Sequence, residues 1–200
     1  MTQAAPLKFL APEDSARANF YGLIARLFYA PPDAQLIAQL VGAAPLEGEG
    51  ELALAWREMV EACAGAFPVT LEAEHTDLFV GTGKSEVTPY LSHYVLRHAN
   101  DAPLVALRQQ LEQWRIARRD DVPEYEDHVS GVCEAMRYAI AVQQRSPEEQ
   151  KGFFERFLYR GAVAFCDAVS ASGKSNFYRR VARFARAFFD VEKAAFDMLD

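Results

Sequence analysis

The chain reads as an all-α protein, a single-domain bundle of about nine to eleven helices over residues 1–200, and three observations carry that reading. Apolar residues recur at three-and-four spacing along most of the sequence. No strict alternation longer than about four residues occurs, so essentially no sheet is expected. Half of the 200 residues are hydrophobic, and a chain of this size buries about 70% of its unfolded surface, enough for one substantial core.

The first helix opens on the acidic Glu13-Asp14-Ser15 and buries Phe20, Leu23, Ile24, Leu27 and Phe28 on one face, until Pro31-Pro32 ends it. Further helices are expected from about 33 to 41, 49 to 64 and 70 to 80. Leu104, Leu107, Leu111 and Trp114 mark a helix from about 101 to 118. Val129, Val132, Cys133, Met136 and Ile140 mark the next. Ser146-Pro147-Glu148-Glu149 is a capping signal, because the serine accepts a backbone N–H, proline suits the first helical position and Glu149 reaches back to the cap. Gly161 is expected to break or bend that helix near Tyr159, and Gly173 to close the turn before a last helix from about 176 to 199. That helix lines up Phe177, Val181, Phe184, Phe188, Val191 and Ala195.

Composition excludes several function classes. A formal charge of −7 disfavours nucleic acid, whose phosphates require clustered Lys and Arg. Apolar runs such as 138–142 and 161–166 stop far short of the roughly eighteen residues of a membrane span. Residues 1–15 lack the basic region, apolar run and cleavage site of a signal peptide, so a cytoplasmic protein is expected. Cys63, Cys133 and Cys166 lie apart within apolar patterns, as buried reduced thiols do.

The chemical motifs are fragmentary. Gly83-Lys84-Ser85 and Gly173-Lys174-Ser175 mimic the end of a phosphate-binding loop, but Leu78 and Ala168 occupy the position of its first glycine. Both read as ordinary loops. Glu72 and His75 make half of a di-iron site, with no second Glu-x-x-His, and His93 and His98 do not share a helix face well. His75 reads as a half-buried polar group with a hydrogen bond. No nucleophile elbow accompanies the serines. No catalytic residue, cofactor or metal site is assigned.

Two segments stand out. Asp120, Asp121, Glu124, Glu126 and Asp127 place five acids within eight residues, with His128 directly after them at the mouth of a helix. One reading is that Glu124, Glu126 and Asp127 complement the helix dipole and that His128 is a core-edge histidine. The other is a docking surface for a basic partner, with His128 donating a hydrogen bond to an incoming peptide. Thr88-Pro89-Tyr90-Leu91-Ser92-His93-Tyr94 reads either as a helix start with packing aromatics or as rigid amphipathic contact area for a peptide.

Together these segments resemble the TorD/DmsD/NarJ-type chaperones that mature molybdenum-containing redox enzymes. The likeness runs from 19–23 through 77–81 and 89–94, and is strongest at Glu124-Tyr125-Glu126-Asp127-His128-Val129, which is similar to the family's Glu-Pro-x-Asp-His-hydrophobic signature. Tyr125 stands at the usual proline. Phe177-Tyr178 and Phe188-Phe189 in the final helix complete it. The resemblance implies a non-enzymatic chaperone that binds an apo molybdoenzyme catalytic subunit or its twin-arginine signal peptide until cofactor insertion. It implies a peptide site of Pro89, Tyr90, Ser92, Tyr94, Glu124, Glu126, Asp127 and His128. Carboxylates would pair with guanidinium groups, and Tyr90, Tyr94 and Met136 would supply apolar contact. The client is either exported or, as with nitrate reductase or some formate dehydrogenases, retained. Monomer and dimer are both compatible with the chain. A small helical nucleotide- or metal-binding protein remains the alternative of another class.

Overall fold

A computed structural model of the chain describes residues 10–81, 85–96 and 102–199. Within them the chain is helical and forms no strand, which bears out the all-α expectation. Helix α1 (Pro12–Tyr29) starts with proline at its first turn and ends where Ala30 goes extended ahead of Pro31. Its Tyr21, Ile24, Leu27 and Phe28 are fully buried. It packs chiefly on α7 (Val129–Ala141), the other helix at the centre of the bundle.

Helices α2 (Ala34–Val41) and α3 (Glu51–Ala64) follow, the former capped by the Asp33 side chain on the Leu36 N–H at 2.8 Å. Helix α4 (Pro68–His75) begins two residues earlier than its apolar pattern indicates, because Pro68 suits the first helical turn, and runs into a π turn at Thr76–Val80. After the short α5 (Ser92–Val95), α6 (Pro103–Gln113) ends earlier than expected. Trp114 is buried and Arg115 adopts a positive φ of 55°, which no helix continues through. The expected start of this helix at Asp101 lies outside the described residues, as do Gly83, Lys84 and His98.

The capping box at Ser146 opens α8 (Pro147–Phe153) with both reciprocal hydrogen bonds in place. Gly161 does not break the helix that follows. A π turn at Phe154–Tyr159 leads directly into α9 (Arg160–Ala171), and the backbone is helical through the glycine. The glycine serves close approach instead: a Cβ there would lie 2.9 Å from the Leu91 Cβ and 3.0 Å from its carbonyl oxygen. Helix α10 (Phe177–Asp197) then packs on α3 and α9. Phe28, Phe79, Phe165 and Tyr178 meet largely edge to face in the core, a favoured ring arrangement. Cys63, Cys133 and Cys166 are buried free thiols, and burial pushes Cys63 up to about 11.

Candidate peptide-binding corner

Tyr90 and Glu124 lie thirty-four positions apart, yet the fold lays the two singled-out segments side by side. Tyr90 and His128 form an antiparallel bridge, in which the Leu91 N–H donates to the Asp127 carbonyl at 2.8 Å and the Val129 N–H to the Pro89 carbonyl at 2.9 Å. Side chains repeat the pairing: the Tyr90 hydroxyl donates to the Glu124 carboxylate, and the Ser92 hydroxyl to Asp127 Oδ2. Below the bridge, Leu91 rests on Gly161, so α9 fixes the height of the whole corner.

The individual residues take unequal parts. Pro89 is buried and contributes its carbonyl, while Tyr90 and Ser92 are half-buried. Tyr94 is a brace, its hydroxyl donating to the Thr88 carbonyl at 2.8 Å and its ring 6.3 Å from that of Phe165. Met136 lies wholly in the core and supplies no exposed apolar floor. Asp127 and His128 are 5% exposed, so they lie beneath the surface and do not line an open furrow. The acidic run itself divides. Asp121 pairs with Arg119 at the exposed end. Glu126 receives Arg108 at 2.9 Å, with Arg118 3.8 Å away.

No acid lies in the first turn of α7, and its N-terminal cap is His128. Its Nδ1 accepts the Ser130 N–H at 3.2 Å, which leaves Nε2 to carry the proton of the neutral ring. Burial, against the opposing pull of Glu124 and Asp127, pushes the His128 imidazole down to about 4. It is therefore an uncharged donor at neutral pH. Burial alone would raise the Glu126 carboxyl, but its own backbone N–H, Arg108 and Arg118 outweigh that effect and hold it below the ordinary range. Asp127 Oδ1 and the Ser130 hydroxyl are buried with no hydrogen-bond partner.

Rings border these groups. Tyr29, at the end of α1, stands 6.4 Å from the His128 ring, which lies 5.6 Å from Tyr90, which in turn lies 6.1 Å from Tyr125. Tyr29 and Tyr125 are 46% and 58% exposed, giving this corner an aromatic ledge open to solvent. Beside it, Arg108, Leu111, Arg115, Ile116, Arg118 and Glu126 help line a cavity of about 470 Å³. Reading the sequence missed Tyr29, Arg108 and Arg118. The one available signal was for Tyr29, a large aromatic outside the apolar stripe of α1.

The motif fragments resolve differently. At Gly173-Lys174-Ser175 the first turn of α10 is already occupied: the Glu74 carboxylate accepts from the backbone N–H groups of Asn176, Phe177 and Tyr178 at 2.8, 3.1 and 2.9 Å. An internal anion holds the place a phosphate would need. His75 is 7% exposed, and burial lowers its pKa against a backbone hydrogen bond to Phe28. Among the described residues no three His, Cys, Asp or Glu side chains converge as a metal site would require, and no helix is long and apolar enough to cross a membrane.

Comparison with known proteins gives a consistent picture. The solved structure of a candidate redox enzyme maturation protein from Archaeoglobus fulgidus superposes with a TM-score of 0.57 at 16% identity, covering 94% of this chain and 99% of that one, a likeness of fold. The chaperone protein TorD of Photobacterium profundum is 27% identical over 135 residues, and the match spans 62% of each chain. The family model for the nitrate reductase delta subunit matches residues 47–167, which include both segments of the corner. The chain therefore belongs to the nitrate reductase delta subunit family, with the TorD-type chaperones among its relatives.

Proposed function

We propose that this protein is a cytoplasmic, non-enzymatic chaperone that binds the N-terminal segment of a molybdopterin-dependent oxidoreductase and holds it for cofactor insertion before export or assembly. The single observation that carries this reading is the state of Asp127. Its carboxylate is anchored through Oδ2 by Ser92, while buried Oδ1 lacks a donor, in the same corner that presents the exposed Tyr29 and Tyr125 rings around His128 and Tyr90. An unpartnered buried acceptor is costly by itself, about 1–3 kcal/mol, and is relieved by an incoming N–H. A twin-arginine segment supplies guanidinium donors followed by apolar side chains, which matches carboxylates edged by aromatic surface. Glu124, held by Tyr90, and Glu126 border the same corner, and His128 offers its Nε2–H from below.

The test is titration of a labelled synthetic peptide, two adjacent arginines followed by an apolar run, by fluorescence anisotropy. Binding that falls at least about tenfold in Asp127→Asn, the loss of one charge-assisted contact, supports the site. Equal binding by wild type and Asp127→Asn removes it. A client retained in the cytoplasm is a second reading, favoured by the family's description as a nitrate reductase subunit. In that case a client N-terminus without paired arginines competes as well as the twin-arginine peptide.

A further inference from the structure

We propose that Arg108 is a resident stand-in for the client's arginine, occupying the guanidinium seat formed by Glu126 and Tyr125 until a client displaces it. The inference rests on the peptide-binding reading above and concerns how that site is kept when empty. Two features that would recognise a guanidinium, a carboxylate and an aromatic face, are both engaged by this one side chain. Arg108 Nε and Nη2 each lie 2.9 Å from Glu126 Oε2, and its guanidinium carbon stands 5.9 Å from the centre of the Tyr125 ring. Tyr125 is the residue that stands where the family signature usually has proline, so the ring is this chain's own contribution to the seat.

The contact has the properties of a displaceable occupant. The Arg108 side chain is 47% exposed, and the opposite carboxylate oxygen, Oε1, has Arg118 only at 3.8 Å, beyond hydrogen-bond reach. Helix α6 does not depend on the pair for its place, because Leu107, Leu111 and Trp114 anchor it in the core. The adjoining cavity of about 470 Å³, with Leu111 and Ile116 in its wall, gives the apolar part of a client segment somewhere to lie once Arg108 swings out. Exchange of one guanidinium for another pairs Glu126 both before and after the client arrives, so its charge is compensated in either state.

The experiment compares the same twin-arginine peptide on wild type, Arg108→Ala, Glu126→Gln and the double variant at fixed salt. Because a half-exposed ion pair contributes at most about 1 kcal/mol, Arg108→Ala is expected to tighten binding by about three- to fivefold. In the Glu126→Gln background the same substitution changes nothing. Arg119→Gln alters net charge equally and frees Asp121 in the neighbouring loop, and should leave affinity within about twofold. Unchanged or weaker binding by Arg108→Ala overturns the inference. So does equal tightening by Arg119→Gln, which would assign the effect to overall charge. If wild type binds and Asp127→Asn weakens that binding, but Arg108→Ala does not tighten it, the resident arginine alone fails. If no variant binds the peptide, the peptide-binding reading fails with it.

Discussion

Two carboxylates lie equally deep in this bundle, Glu192 at 3% exposure and Asp127 at 5%, and the protein treats them differently. Glu192 is fully used: Arg17 donates to Oε1 at 2.7 Å and to Oε2 at 2.9 Å, and the Tyr21 hydroxyl adds 2.9 Å to Oε2, joining α1 to α10. Asp127 is half used, with Ser92 on one oxygen and nothing on the other. The first arrangement is closed and has no capacity for a visitor. The second leaves a buried acceptor idle. A buried acid whose contacts are complete serves the fold, whereas the incomplete one is the acid on which the proposed peptide site rests.

The largest test of that contrast is Glu192→Ala, which leaves Arg17 with Asp14 alone, strands the buried Tyr21 hydroxyl and should cost about 3–5 kcal/mol in urea unfolding. Asp127→Asn should cost within about 1 kcal/mol, since one oxygen already lacks a partner. Equal losses would erase the distinction. Acid provides the next largest effect. His128 takes up protons less readily folded, at about 4, than at its ordinary 6.5, so its contribution is complete above 6.5 and disappears as pH falls toward 4. That amounts to about 3 kcal/mol, and thermal melts of His128→Gln across this window should show a correspondingly shallower decline.

Gly161→Ala comes third, because the added methyl meets Leu91 at 2.9 Å and overpacking of this kind costs about 1–3 kcal/mol. It should also weaken peptide capture, which sharpens the contrast by linking a core contact to the corner. Retained capture at lowered stability would show that α9 does not set the corner's height. Ser146→Ala is the smallest, about 1 kcal/mol from loss of the capping box. Calorimetry should register it with peptide affinity unchanged, as it acts on α8, which contributes no residue to the paired segments.

Much of the bundle was legible from periodicity and caps. The stripe of α1, the capping box at Ser146 and the span of α10 emerge where the residues indicate them, because neighbours at three and four positions enforce a helix locally, although Val191 and Ala195, expected on the packed face of α10, are exposed and Glu192 and Phe196 are buried there instead. Gly161 was misjudged for the same reason. Local rules treat a glycine in a helix as a weakness, while here its missing side chain makes room for Leu91, seventy positions earlier in the chain. The candidate site divides likewise: each of its two segments was recognisable by composition, but Tyr29 and Arg108 carried no motif.

By itself, then, the sequence determined which stretches coil and which residues are unusual, since those depend on contacts within a few positions. Only the tertiary structure decided that Pro89–Tyr94 and the acidic run share a bridge, that Glu74 fills the start of α10, that Glu126 is held by Arg108 and that Asp127 keeps an idle oxygen. Those outcomes join residues eighteen to more than a hundred positions apart. Such partners are chosen when helices pack and not when they form, because the cost of closing long loops is met only by the apolar surface the assembled core removes from water.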